Sequence, residues 1–279
     1  MLDNAPFLSH RHGAFTIEGY SRAAVQSYWR VPELRICFDI GAHPWDFMGI
    51  PTLAISHVHL DHVAAIAVYV ARRRMMKMDP PTIYVPEEAI KAIEHLLKIF
   101  GHLDRGRLPC TLIGVKPGDE IELSRELVMT VHKTVHTIPS VAYMIWERRK
   151  KLKAEYLSLS GEQIRDLKQS GVEITTEMRL PIVAYTGDTS PGGLENNPDL
   201  FKAQILITEM TFVAPGHRKE KIHKHGHMHL DDFIARADMF QNELVIAGHF
   251  SVRYNAKQIE RWVKKRMPDM LGGKLKLWI

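Results

Sequence analysis

Within the six residues from His57 to His62, the segment Ser56-His57-Val58-His59-Leu60-Asp61-His62 collects three imidazoles and a carboxylate. Neutral imidazole is the commonest nitrogen ligand for transition metals, and a carboxylate adds an oxygen ligand. His57 and His59 stand two apart, so an extended or looping segment points them to the same side. Asp61 and His62 then sit at the start of a helix, able to face a second ion. Four ligands are too few for two metals, and further candidates follow other apolar runs. His136 comes after Leu127–Lys133, Asp188 after IVAYTG and His249 after LVIAG, while Glu209 closes QILIT. Open sheets gather their sites just past the C-terminal ends of strands. The two cysteines, Cys37 and Cys110, lie away from the motif. A nitrogen and oxygen ligand set suits an open catalytic centre whose chemistry is metal-assisted hydrolysis.

Positioning these side chains falls to alternating β-branched runs and helical stretches. The pattern predicts strands at Ala14–Glu18, Leu34–Ile40, Thr52–Ser56, Thr82–Val85, Thr111–Val115, Leu127–Lys133, Ser140–Trp146, Pro181–Thr186, Gln204–Thr208 and Leu244–Ala247. Helices are expected at Asp61–Lys77, Pro86–Phe100, Gly161–Gln169, Leu230–Gln241 and Asn255–Arg266, the second opening on proline and the last ending before Pro268. This mixture points to an α/β fold of stacked sheets covered by helices. No internal repeat stands out. The one shift in composition is Glu147–Lys153, ERRKKLK, followed by polar residues to about Arg179. It reads as an arm-like insertion at about 147–178 within a single domain spanning 1–279.

Composition sets the outer limits. The 279 residues are 45% apolar and 25% charged, as expected of a globular chain and unlike a disordered or fibrous one. The longest uncharged apolar stretch, Val63–Ala71, falls far short of the roughly 20 residues that span a bilayer. The N-terminal MLDNAPFLSHRHG has charges and no apolar core, so no leader is expected, and two cysteines make no disulfide framework. The expected setting is cytoplasmic, with no membrane partner. A net charge of +5 permits a polyanionic partner without requiring one. Sixteen histidines are the unusual feature, with six of them falling between His217 and His249.

The motif His-x-His-x-Asp-His after a strand, a later His, a Gly-Asp and a final His resembles the metallo-β-lactamase fold, a four-layer αββα sandwich. Thr208-Glu209-Met210-Thr211-Phe212, Gly226-His227 and His249-Phe250-Ser251-Val252-Arg253-Tyr254 resemble the tRNA 3′-processing endonuclease branch (ribonuclease Z, zinc phosphodiesterase). So do His136-Thr-Ile-Pro-Ser-Val-Ala-Tyr143 and KLKAEYLSLSG. The likeness covers roughly residues 50–279. It implies that His57, His59 and His136 hold one Zn²⁺, that Asp61, His62 and His249 hold the other, and that Asp188 bridges them, with Mn²⁺ or iron as alternative metals. It further implies catalytic roles for Asp61, Glu209 and His227, substrate phosphate binding by Ser251 and Arg253, and a homodimer. Departures are visible: Leu60 stands where the family has Gly, and the Gly-Pro element of the family's arm is replaced by Leu159-Ser160-Gly161.

The expected activity is phosphodiester hydrolysis on RNA, precursor tRNA included, or on a small phosphodiester. A hydroxyl at Ser251 and a guanidinium at Arg253 suit a phosphate better than an acyl ester. The alternatives are a lactone or thioester hydrolase on the same fold, since fold alone does not choose the reaction, and a nucleic-acid binder on a degenerate scaffold.

Overall fold

A computed structural model describes residues 5–279; the first four residues of the N-terminal stretch read above lie outside them. The first sheet begins as an antiparallel meander of β1 (Leu8–His12), β2 (Phe15–Arg22), β3 (Gln26–Val31) and β4 (Ile36–Ile40). It continues in parallel through β5 (Thr52–Ala54), β6 (Thr82–Pro86) and β7 (Thr111–Val115). Parallel neighbours need crossovers, and these are α1 (Leu60–Val63) with α2 (Ile66–Met75), then α3 (Ile90–Leu103).

The second sheet repeats the plan. Antiparallel β8 (Glu120–Glu122), β9 (Leu127–Lys133), β10 (Val141–Leu152) and β11 (Thr175–Tyr185) lead into parallel β12 (Ile205–Glu209), β13 (Leu244–Gly248) and β14 (Leu275–Leu277). Helix α4 (Gly161–Gln169) lies between β10 and β11. The short helices α5 (Pro191–Glu195), α6 (Lys219–Lys224) and α7 (Leu230–Ile234) and the longer α8 (Ala256–Arg266) connect the rest. Each sheet orders its seven strands as the chain does. The two halves share a topology that their sequences do not repeat.

Three layers of apolar side chains hold the stack together. Trp29, Phe38, Val131, Tyr143, Ile207 and Ile246 fill the space between the sheets. Leu53, Tyr69, Val70 and Ile93 seal α2 and α3 to the first sheet, and Met144, Leu206, Phe233 and Val263 seal α7 and α8 to the second. The order helix, sheet, sheet, helix is the αββα sandwich expected from the motifs. Trp278, beside β14, packs at a tilt against Trp29 with ring centroids 5.1 Å apart and donates its indole N–H to the Gly19 carbonyl at 2.9 Å. That contact pins the end of the chain across the sandwich. No helix among the described residues is long and apolar enough to cross a membrane.

Several boundaries differ from the sequence expectation, each for a tertiary reason. The strand expected at Ala14–Glu18 is the centre of a hairpin that includes β1, and β3, β8 and β14 carry no strong apolar run of their own. Pro32–Leu34 is a helical turn, so the strand expected from Leu34 starts at Ile36. The helix expected at Asp61–Lys77 breaks into α1 and α2 because the Ala65 amide is drawn to the Ile40 carbonyl at 2.9 Å. The helix expected from Pro86 opens with a 3-10 turn over Glu87–Ala89 before α3. The helix expected at Leu230–Gln241 stops at Ile234. Beyond it, the Gln241 amide bonds the Phe201 carbonyl and the Asn242 side chain bonds those of Leu200 and Ala203.

The segment expected as an arm-like insertion holds the helix expected at Gly161–Gln169 and is otherwise more regular than its composition suggests. β10 and β11 run on as a paired ribbon from Glu147 opposite Leu180 to Leu152 opposite Thr175. Its far end carries α4, closed by a Ser160–Gln163 capping box. Arg148 and Arg179 fasten the ribbon's base to β8 by ion pairs to Glu122 at 2.9 Å and Glu120 at 2.6 Å. Arg149, though exposed, is paired with Glu147, which leaves Lys150 and Lys151 as the exposed charges of the basic run without an ion pair among the described residues.

Candidate metal centre

Every candidate ligand comes from the same end of the sandwich. His57 and His59 lie on the loop after β5, Asp61 and His62 on α1, His136 beyond β9, Asp188 beyond β11 and His249 just beyond β13. The ligand atoms of His57, His59, His136 and Asp188 lie within 4.8 Å of one another, as do those of Asp61, His62 and His249. His59 Nδ1 stands 3.1 Å from both His57 Nε2 and His136 Nε2. His62 Nε2 and His249 Nε2 face each other at 3.3 Å. Asp188 lies between the sets, its carboxylate 3.7 Å from His57 Nε2, 3.5 Å from His62 Nε2 and 3.3 Å from His249 Nε2. Three ring nitrogens converging on one point cannot all satisfy one another by hydrogen bonding, since a neutral imidazole carries a single N–H. Two cations sharing Asp188 would satisfy all of them, so this donor set suits two metal ions.

The remote ring nitrogens are committed elsewhere, which turns the inner lone pairs toward the cluster. His57 Nδ1 meets Ser56 Oγ at 3.0 Å, His62 Nδ1 meets Asp39 at 2.6 Å, His136 Nδ1 meets the Gly226 carbonyl at 3.0 Å and His249 Nδ1 meets Thr211 Oγ1 at 3.1 Å. Asp39 is the hub. Besides His62, it accepts from the Ser56 amide at 2.6 Å, the Ser56 hydroxyl at 2.7 Å and the Tyr185 hydroxyl. Asp61 Oδ2 accepts from the Ala24 amide at 2.8 Å. Close backbone approach fixes two glycines here. A Cβ on Gly41 would lie 1.8 Å from the Asp61 carbonyl oxygen, and one on Gly226, whose φ is +69°, would lie 2.5 Å from the His136 Cα.

The electrostatics divide the cluster. Burial holds His57, His59 and His136 below the ordinary imidazole range, leaving them neutral and ready to bind a cation. Burial would lower His62 too, but Asp188 and Asp39 carry it well above that range. Asp188, against the cost of its own burial, is held far below the usual carboxylate range by His249 and His62. Burial likewise opposes ionisation of Asp61, yet a hydrogen bond from His249 brings it to about 2.

Beside the cluster, His227 Nδ1 lies 3.0 Å from Glu209 Oε1 and 4.0 Å from Asp188. Burial disfavours its charged form, but Glu209 next to it raises the imidazole to about 9. Glu209 is itself locked in place by the Thr189 amide at 2.8 Å, the Met228 amide at 3.2 Å and the Thr211 hydroxyl. Arg253 lines the pocket over the cluster, together with His59, His136 and His227. Ser251 does not line it; it lies buried beneath the rim, its hydroxyl 3.4 Å from the Arg253 amide. Of the other local imidazoles, His223 bonds Asp232 and His229 bonds the Ala214 carbonyl, while His217, bonded to the Tyr254 hydroxyl, and exposed His225 line the pocket. Asp39 was missed, and its one signal is an acid inside the apolar strand ICFDI. Thr211 and Ser56 gave no signal beyond standing next to or within the motifs.

The fold and this centre define the class: the sequence pattern of the beta-lactamase superfamily domain matches residues 31–250, and the chain is a hydrolase of the metallo-β-lactamase superfamily. Within it, the chain belongs to the tRNase Z family of phosphodiester-cleaving enzymes. It is 38% identical over 260 residues to tRNase Z TRZ1 of Arabidopsis thaliana, covering 92% of this chain and 93% of that relative. It is 37% identical over 254 residues to tRNase Z TRZ2, chloroplastic, of the same plant, covering 90% and 72%. Among solved structures, the fold is shared with human tRNase Z, short form, at a TM-score of 0.54 and 16% identity over 88% of each chain. It is also shared with the metallo-beta-lactamase fold protein YhfI from Bacillus subtilis, at a TM-score of 0.63 and 15% identity over 92% of each chain.

Proposed function

We propose that this chain is an endoribonuclease that cleaves precursor tRNA at a two-zinc centre. His57, His59 and His136 would hold one ion, Asp61, His62 and His249 the other, and Asp188 both. When bound, such a pair activates water and stabilises the charge that develops at the phosphorus in an in-line displacement. The protein's own groups do the rest. Asp61, ionised and fixed by the Ala24 amide, orients the attacking water and takes its proton. His227 stays protonated at neutral pH, and with Nδ1 engaged by Glu209 it gives its proton to the leaving oxygen from Nε2. Arg253 draws the substrate phosphate to the mouth of the site, with Ser251 bracing its backbone. The ribbon and α4, at about 147–178, form an arm that meets the substrate away from the chemistry through Lys150 and Lys151.

The observation that carries this reading is the Glu209–His227 pair at 3.0 Å beside the ligand cluster. A buried acid poised for an oxygen leaving group suits phosphodiester cleavage, and the kinship with tRNase Z TRZ1 supports tRNA as the substrate. The test is single-turnover cleavage of a precursor tRNA by the Zn²⁺-loaded protein, run beside an aryl phosphodiester, a lactone and a thioester. One discrete cut in the precursor is expected. Faster turnover of the lactone or thioester, with the precursor left intact, would overturn the reading.

A further inference from the structure

The pocket above the cluster encloses about 690 Å³, and its outer wall is charged on one side only. Arg218, Lys221 and Arg253 line it, and among the described residues no carboxylate does. None of the three has an ion pair among the described residues, whereas Arg74, Arg148, Arg179 and Arg236 on the surface are each paired with an acid. A cleft lined by one sign of charge concentrates ions of the other sign. Between the cations lies a half-buried aromatic face. The Arg253 guanidinium stands 6.0 Å from the Phe212 ring centroid, and the His217 and His227 rings are 5.1 and 6.3 Å from it. Uncompensated cations beside an aromatic face fit a ligand that joins an anion to a flat base, as one nucleotide does.

We infer that this pocket holds a single nucleotide next to the cut, its phosphate on Arg218 and Lys221 and its base on Phe212. The side is set by His227, which lines the same pocket. Because the endonuclease reading places His227 at the leaving oxygen, the nucleotide seated beside it departs with that oxygen. The inference rests on the endonuclease reading above and adds a specificity-determining subsite to it.

A double-mutant cycle tests it on the Zn²⁺-loaded full chain. Precursor tRNA is prepared with a neutral methylphosphonate in place of the phosphate next to the scissile one, either on the leaving side or on the opposite side. With unmodified RNA, Arg218→Ala and Lys221→Gln should each raise KM by roughly tenfold, the size of one lost charged hydrogen bond. Both residues are exposed, so folding is not at stake. On the leaving-side methylphosphonate the same variants should add little further loss, because the partner charge is already gone. Phe212→Leu should behave likewise against an abasic leaving-side nucleotide. Fully additive losses, or coupling to the opposite-side phosphate, would overturn the subsite while leaving the endonuclease reading intact. A wild-type protein that cleaves no RNA would overturn both.

Discussion

An imidazole makes a dependable ligand only when its other nitrogen is held, and here each holder is identifiable. Asp39 accepts four hydrogen bonds and through one of them fixes His62. Replacing it by Asn swaps one acceptor oxygen for a donor, and should weaken binding of the ion that Asp61, His62 and His249 would hold by roughly 10–100-fold. Metal titration with competing chelators would show this, and an unchanged affinity would mean that Asp39 does not prepare His62 for a metal. Asp188 lies within reach of His57, His62 and His249, so Asp188→Ala should lower the occupancy of both ions rather than one. Two ions retained in that variant would show that the carboxylate does not bridge. His227 touches no ligand nitrogen within hydrogen-bond distance, so His227→Ala should leave metal content intact and reduce kcat by roughly 10²–10⁴. His225→Ala, at an exposed position, should do neither. The candidate ligands that the fold brings together were legible because three of the histidines crowd into six residues and the others follow apolar runs. Their holders were not, because Asp39, Ser56 and Thr211 act through neighbours that only folding supplies.

Secondary elements were readable where one face is fully apolar. β4, β6, β9, β12 and β13 sit close to the expected runs because most of their residues are covered in a sandwich with helices outside. β1 and β8 lie at sheet edges with mixed burial, so their sequences alternate too weakly to stand out. The ribbon of β10 and β11 is the sharper case. Its outer half, RRKKL against TTEMR, looks like a solvated loop, yet backbone pairing and the Arg148–Glu122 and Arg179–Glu120 contacts carry it outward as ordered structure. Half-buried Ile164 and Leu167 give α4 little to pack against, so the segment contributes little to the core. Replacing residues 149–178 by a short Gly-Ser turn, which removes Lys150 and Lys151 and keeps Arg148 opposite Arg179, should spare hydrolysis of an aryl phosphodiester and reduce kcat/KM on precursor tRNA. The RNA binding that remains should depend less steeply on salt, because each lost phosphate contact removes a counterion-release step. Equal losses on both substrates would mean that the arm supports the centre itself.

At the scale of the molecule, the centre joins the two sheets. His57, His59, Asp61 and His62 belong to the first half of the chain, His136, Asp188 and His249 to the second, and the apolar layer and hydrogen bonds such as Trp278 to the Gly19 carbonyl also join the sheets. Ions bound across that seam stabilise the folded state by mass action, about 4 kcal/mol at a thousandfold excess over Kd for one site. The effect should depend on pH in a definite direction. Burial keeps His57, His59 and His136 below their unfolded value. Between the two values the unfolded chain binds more protons than the folded one, and without metal these groups cost stability as the pH falls through about 6.5. His62 runs the other way: Asp188 and Asp39 favour its protonated form despite burial, and that proton must leave before a metal can bind. Acid therefore opposes folding through the unfolded chain for three of these histidines, with or without metal, and opposes metal itself at the folded site through the fourth, His62. The Zn²⁺-loaded protein should melt several degrees above the chelated protein at pH 8, and the gap should close as the pH is lowered toward 5. Calorimetry of both forms across that range is the measurement. A chelated protein with an unchanged Tm at pH 8 would mean that no ion spans the seam, and a gap that widened toward pH 5 would mean that these imidazoles are not what holds the metal.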